Sequence, residues 1–338
     1  MLTRRTFVSL AASSALVAAC GEKGSGAPGS GSAAGGKPLK IAVVPKGTTH
    51  EFWKAVHAGA VKASKELGVE IVWKGPLKED DLKQQIEVVQ SFVAQGVSGI
   101  VLAPLNDKGL VPAVKDAVAA KVPVVIFDSD LQGDAWTSFV ATDNMAAGKL
   151  AGERLGKLLG GKGKVVVLRY QEGSASTTAR EQGFLEAIKA FPEVQIASEN
   201  QHGGATTESS FAASENLLVS LKAAEGGVNG VFCPNESTTF GMLLALEKAG
   251  LAGKMKLVGF DASDKLVEAL GAGKIDGLVL QNPFRMGELA VQTMVKHLRG
   301  EKVERRIDTG ARVVDKDNMA QPEVKELLKP DLEKWLGK

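Results

Sequence analysis

An α/β fold built of two doubly wound, parallel-sheet lobes is what this sequence predicts, and three observations carry it. Short β-branched runs alternate with amphipathic stretches of helical period along about 300 residues. The runs are almost continuously apolar, as strands are when helices cover both faces of a parallel sheet. Four to five such units are followed by four to five more, and a chain of this length divides its apolar residues between two cores more readily than it fills one. Eight to ten units also suit a closed barrel, an alternative that periodicity alone leaves open.

The expected strands lie at 39–44, 69–73, 99–102, 122–127, 164–169, 194–197, 230–233, 256–260 and 276–280. Helices fill most of the intervals. The stretch 81–95 places Leu82, Ile86, Val89 and Val93 on one face, and 144–159 follows the same period. Gly160-Gly161-Lys162-Gly163 is a turn before a strand and lacks the Lys-Ser/Thr ending of a phosphate loop. Cys233 closes an apolar run and reads as a buried strand thiol.

The first 36 residues stand outside this alternation. Residues 1–20, MLTRRTFVSLAASSALVAAC, join a basic start at Arg4 and Arg5 to an apolar segment too short to span a bilayer. The ending Val17-Ala18-Ala19-Cys20 resembles a bacterial lipobox, which implies lipidation of Cys20. Thr-Arg-Arg-Thr-Phe-Val also resembles a twin-arginine signal, so export by that route or by the general secretory route stays open. Residues 21–36 hold seven glycines and no large apolar side chain; they read as a tether with a reach of roughly 20 Å. The expected order is signal peptide, flexible tether, then a folded body from residue 37, working outside the cytoplasm on a membrane anchor.

Charge removes several classes of function. The chain has 41 Lys+Arg and 39 Asp+Glu, and the leader holds two of the arginines and no acid, so the mature chain is formally neutral. Such a balance gives no footprint for nucleic acid. The four histidines show no metal-ligand spacing, and neither a dinucleotide fingerprint nor a nucleophile elbow occurs, so no cofactor is expected.

In doubly wound sheets ligands bind beyond the carboxyl ends of the strands. Those ends carry Pro45-Lys46, Asp128-Ser129-Asp130, Pro234-Asn235, Phe260-Asp261 and Gln281-Asn282, while Phe52-Trp53 and Arg180 open the helices beyond two of them. Carboxylates, amides and a guanidinium bond neighbouring hydroxyls in pairs, and flat rings cover the C–H faces of a sugar. Each residue also has a plainer role: Asp128 in a turn, Asn235 and Asp261 as helix caps, Lys46 paired with Glu51, and Phe52 and Trp53 as packing.

Six segments in order carry a family resemblance: Phe52-Trp53 with Gly59-Ala60; 125–128; Ala141-Thr142-Asp143-Asn144; Thr178-Ala179-Arg180-Glu181; Val231-Phe232 with Asn235; and Val258-Gly259-Phe260-Asp261. The body resembles the ribose/galactose class of periplasmic sugar-binding proteins, partners of ABC importers. The resemblance implies two lobes joined by a three-strand hinge, 37–142 plus 282–308 and 143–281 plus 309–338. It implies capture of a small sugar or polyol by hinge closure, with an inner-membrane permease as partner, and a monomer. Ligand contacts would fall on Phe52, Trp53, Asp128, Arg180, Asn235, Asp261 and Gln281, with Phe260 packing behind. Lys46 joins them because the loop at 45–51 is similar to that of the autoinducer-2 receptor. That receptor's second-lobe Asp-Gln pair is replaced by Arg180-Glu181, and no aromatic stands near Gly203–Ala205. A sensing or chemotaxis role is the first alternative, and a glycosidase using Asp128 and Asp261 is a remote one.

Overall fold

A computed structural model of the chain describes residues 38–337; the expected signal peptide, the whole of the expected tether and Cys20 lie outside the described residues. The first sheet is built from β1 (Lys40–Val44), β2 (Glu70–Trp73), β3 (Gly99–Leu102), β4 (Val124–Phe127) and β5 (Ser138–Ala141), with α1 (Glu51–Leu67), α2 (Leu82–Ala94) and α3 (Val111–Ala119) between them. The second runs through α4 (Asn144–Leu158), β6 (Lys162–Arg169), α5 (Ala175–Ile188), β7 (Glu193–His202), α6 (Thr207–Ser220), β8 (Gly230–Phe232), α7 (Glu236–Lys248), β9 (Lys256–Phe260), α8 (Asp264–Gly271) and β10 (Gly277–Leu280). The chain then returns through α9 (Pro283–Leu298) and β11 (Arg306–Asp308) to the first lobe. It crosses back to β12 (Arg312–Val314) and α10 (Pro322–Leu328), and ends in α11 (Glu333–Leu336).

Each lobe holds a six-stranded sheet, in the orders β11-β5-β4-β3-β1-β2 and β12-β10-β9-β8-β6-β7. Every pairing is parallel except that of β10 with β12. These are two open sheets, so the barrel alternative falls. β5, β11 and β12 are strands beyond those expected from the sequence; β11 and β12 carry Arg306, Asp308 and Arg312 and so lack the continuous apolar run that marks the others.

Strand alternation divides each lobe's core in two. Ile41, Val43, Val101, Val125 and Phe127 face one side of the first sheet, and Ala42, Val44, Ile100, Leu102 and Ile126 face the other. Each such side chain contributes roughly 1.5–3 kcal/mol on burial. In the second lobe the same division separates Val166, Leu168 and Val231 from Val165, Val167 and Phe232.

The chain passes between the sheets at 142–143, 281–282 and 309–311. Thr142 Oγ1 donates to the Gly310 carbonyl at 3.2 Å, and the Asp308 carboxylate accepts from the amides of Asp143 and Gly310 at 3.0 and 2.8 Å. The resemblance places 309–338 wholly in the second lobe, yet only its first part stays there, with Val324 and Leu328 in that core. α11 packs on α1 of the first lobe, where Trp335 lies 6.3 Å from the Phe284 ring. Pro330 breaks the helix between the two anchors and lets the tail cross.

The two lobes use the same device to bring helices close. A Cβ at Gly59 would stand 1.9 Å from the Phe284 carbonyl oxygen, and one at Gly287 would stand 2.1 Å from that of Val56. So α1 and α9 touch backbone to backbone. α4 and α5 do likewise: a Cβ at Gly148 would meet the Arg180 carbonyl oxygen, and one at Gly183 that of Met145, each at 2.1 Å. Overpacking of this kind costs about 1–3 kcal/mol. Gly287→Ala should therefore lower the melting temperature by roughly 3–8 °C. Gly148→Ala should in addition displace Arg180. Calorimetry showing wild-type stability for both variants would refute the close-packed crossings.

Candidate functional site

The carboxyl ends of the two sheets face one another, and a narrow space of about 30 Å³ lies between them. That is room for a water or two rather than a sugar ring, so the lobes here stand closed and a larger molecule enters only as they part. Two wider grooves, about 740 and 530 Å³, run beneath the C-terminal tail; Gln281 lines both grooves and the narrow space.

The strand-end aspartates are structural counterparts. Asp128 follows β4 and Asp261 follows β9, with left-handed φ of 61° and 66°. Each amide donates at 3.0 Å to the neighbouring strand, Asp128 to Val140 and Asp261 to Val279. Left-handed backbone is unfavourable for most side chains and tolerated by Asp. It turns both carboxylates off the strand line and into the gap.

From the first lobe, Lys46 Nζ lies 3.1 Å from Asp128 Oδ2 and reaches across to Ser176 Oγ at 3.0 Å. Phe52 and Trp53 meet edge to face with centroids 4.9 Å apart, and Trp53 packs on Phe127. Both therefore belong to the first lobe's core while also lining the space. From the second lobe, Arg180 is 2% exposed. Its Nε donates to Asn144 Oδ1 at 2.8 Å, its Nη1 to the Pro234 carbonyl at 2.9 Å, and Nη1 stands 3.9 Å from Asp261 Oδ2. Its guanidinium lies 4.3 Å above the Phe260 ring. Phe260 thus supports Arg180 from behind and does not line the space. Gln281 Nε2 donates to Asp261 Oδ1 at 2.7 Å. Burial pushes the Asp261 carboxyl above its ordinary value, against the opposing pull of Arg180 and Gln281. Asn235 lines the space and also N-caps α7, its Oδ1 accepting from the Thr238 amide at 3.3 Å. Two polar atoms have no partner in the protein among the described residues: Arg180 Nη2 and Gln281 Oε1.

Beyond the contacts expected from the sequence, His50, Glu79, Tyr170, Ser176, Thr177 and Glu236 also line the space. Tyr170 directly follows β6, so the strand-end rule was sufficient to find it. It supplies the second-lobe aromatic that Gly203–Ala205 lacks, and the Gly204 amide bonds its carbonyl at 3.0 Å. Glu79 sits in the loop after β2 and gives no sequence signal of its partners.

Two helices facing the gap lack a side-chain cap of their own and receive one from the opposite lobe. At α1, His50 makes no capping bond; Glu236 Oε2 accepts from the Phe52 amide at 3.2 Å and Oε1 from the Glu51 amide at 3.4 Å. At α5, Ser174 makes none, and the Ser176 amide donates to Ser129 Oγ at 3.1 Å. Glu51 in turn accepts from the Asp264 amide at the start of α8, at 3.2 Å. Carboxylates suit helix N-termini because unpaired amides and the helix dipole both favour negative charge there. Burial nevertheless raises the Glu236 carboxyl to about 7.

The first-lobe wall also holds an ion pair, His50 Nδ1 to Glu79 Oε1 at 2.6 Å. Burial favours the neutral form of both groups, but mutual attraction outweighs it. His50 rises from 6.5 to about 9, and Glu79 falls from 4.5 to about 2. Stability from the raised His50 is complete below about 6.5 and lost as pH rises through 9. Stability from the depressed Glu79 is complete above about 4.5 and lost as pH falls through 2. Between pH 6.5 and 9.5, wild type should therefore lose on the order of 3–6 °C more in melting temperature than His50→Gln. Parallel curves for the two proteins would show that the pair contributes nothing to folding.

Comparison with known proteins agrees with this architecture. Residues 41–302 match the family described as the periplasmic binding protein domain. The ribose import binding protein of Haemophilus influenzae is 30% identical over 274 residues, which cover 81% of this chain and 90% of that protein. An ABC transporter solute-binding protein from Agrobacterium vitis, solved with bound D-fucose, is 38% identical with a TM-score of 0.79, covering 86% of this chain and 100% of that one. A carbohydrate transporter solute-binding protein from Agrobacterium radiobacter, in complex with D-arabinose, is 32% identical with a TM-score of 0.82, covering 87% and 99%. Two parallel-sheet lobes, three crossings and a polar gap at the strand ends place this chain in the periplasmic binding protein family, among the sugar-binding components of ABC importers.

Proposed function

We propose that this protein captures a small uncharged sugar outside the cytoplasm by closing its lobes over it, and that it hands the sugar to an inner-membrane ABC permease while anchored through lipidated Cys20. The observation that carries the reading is the pair of unpartnered buried atoms, Arg180 Nη2 and Gln281 Oε1. One is a donor and the other an acceptor, and both flank Asp261. A buried polar group left unpaired costs roughly 1–3 kcal/mol. Sugar hydroxyls, each donor and acceptor at once, relieve both.

Charge within the site supports an uncharged ligand. Lys46 faces Asp128, His50 faces Glu79 and Arg180 faces Asp261. Each cation is matched by an acid, and the remaining acid, Glu236, caps α1, so no surplus positive charge awaits a phosphate or a carboxylate. Asp128 is held by Lys46, and Asp261 by Arg180 and Gln281, which argues against these two carboxyls as the acid and nucleophile of a glycosidase, since that chemistry needs both free. Closure follows from ligand contacts divided between the lobes: Lys46, Trp53 and Asp128 on one side, Arg180, Asn235 and Asp261 on the other. Only the closed form makes both sets, so a ligand that bridges them shifts the equilibrium toward closure.

Titration calorimetry of residues 37–338 with D-ribose, D-arabinose and D-fucose tests the ligand class. Asp261→Asn keeps a side chain that tolerates left-handed backbone and removes the charge. Affinity for whichever sugar binds should fall by about 1.5–3 kcal/mol, roughly 10- to 150-fold in Kd, with the fold intact. A folded variant with wild-type affinity would remove Asp261 from the site. For the anchor, Cys20→Ala should release the protein from the membrane fraction; a variant that still sediments with membranes at unchanged mass would disprove lipidation there.

A further inference from the structure

Glu79 differs from every other charged group in the site in what it holds. It lies in the loop between β2 and α2 and is 6% exposed. Its Oε1 accepts from Trp53 Nε1 and bonds His50 Nδ1, both at 2.6 Å, and its Oε2 accepts from the Tyr170 hydroxyl, also at 2.6 Å. Its backbone carbonyl accepts from Gln171 Nε2 at 2.7 Å. Trp53 and His50 share a lobe with Glu79, so those bonds persist whether the lobes meet or part. Tyr170 and Gln171 belong to the opposite lobe, so theirs form only on closure. A hydroxyl-to-carboxylate bond of this length is among the stronger kinds, and here it is screened from water. Burial keeps the phenol protonated to well above its ordinary value, so it remains a donor throughout the working pH range.

We propose that Glu79 is a positioning residue for ligand capture: it fixes the Trp53 and His50 rings that shape the first-lobe wall, and it receives the Tyr170 hydroxyl as the lobes close, so that wall and closure are coupled through one carboxylate. This rests on the capture-by-closure reading above. Glu79 acts through its neighbours. Loss of the Tyr170 bond should therefore speed release and leave encounter almost unchanged, because encounter takes place with the lobes apart.

Tyr170→Phe deletes a single hydroxyl, and Glu79→Met keeps the side-chain length while removing both acceptor oxygens. The probe is whichever of D-ribose, D-arabinose and D-fucose binds the wild-type protein most tightly. In stopped-flow measurements Tyr170→Phe should release it on the order of 10-fold faster, with association within about twofold. Adding Tyr170→Phe to Glu79→Met should cost nothing further, since Glu79→Met already removes the acceptor of that bond. Tyr170 is the chain's single tyrosine, so a fluorotyrosine label gives one fluorine resonance. It should shift on ligand addition in wild type and not in Glu79→Met. A merely structural Glu79 would instead lower the melting temperature while release rates stay the same; that result, or additive effects in the double variant, overturns the proposal. If wild type binds none of the three sugars, the sugar reading fails by itself. The latch is then judged on the sugar-free protein by small-angle scattering: Tyr170→Phe must be more open than wild type, and equal radii overturn it.

Discussion

A guanidinium carried out of water has to be paid for by its surroundings, and the second lobe is arranged around that demand at Arg180. Nε finds Asn144, Nη1 finds the Pro234 carbonyl with Asp261 nearby, and the plane of the group rests on Phe260. Phe260 is itself the top of an aromatic ladder, meeting Phe232 at 6.4 Å, which stacks on Phe184 at 4.5 Å. Gly148 lets α4 approach so closely that the backbone of Arg180 is fixed as well as its side chain. Asn144 also donates to the Asp128 carbonyl, at 3.4 Å, and so ties the cation's position to the strand end of the first lobe. A buried charge held by this many partners is rigid, and its remaining unpaired nitrogen gives the site a fixed direction.

The same logic runs through the helix ends. Parallel sheets bring the N-termini of several helices to one edge, where unpaired amides and dipoles collect. In each lobe one of these helices at the gap is left without a cap of its own, and the opposite lobe supplies it: Glu236 for α1 and Ser129 for α5. Closure therefore completes secondary structure as well as enclosing a ligand. An open form exposes those amides to water, which satisfies them at little cost, so the balance between the states stays within reach of a small molecule's binding energy.

The strand-end rule led from sequence to most of the site. Lys46, Trp53, Asp128, Arg180, Asn235, Asp261 and Gln281 do line one space. Phe260 stands behind it because a residue on the strand itself faces the core. Glu79 and Glu236 were missed for a definite reason: their partners lie tens to hundreds of residues away, and no local pattern marks an acid that will cap or hold a group of another element. The tail was misassigned for a similar reason. The four residues of α11 carry no period, and the surfaces of α1 and α9 decide where Trp335 rests.

The alternation of strands and helices, the division into two lobes and the polar residues at strand ends are all legible in the order of apolar and polar side chains over a few residues. Tertiary structure decided what those residues became. Which acid faces which cation, which helix end is capped in trans, and which two atoms stay unpaired all depend on two sheets meeting edge to edge. That geometry is set by packing across whole lobes, where glycines permit backbone contact and hinge segments fix the angle, and no short stretch of sequence contains it.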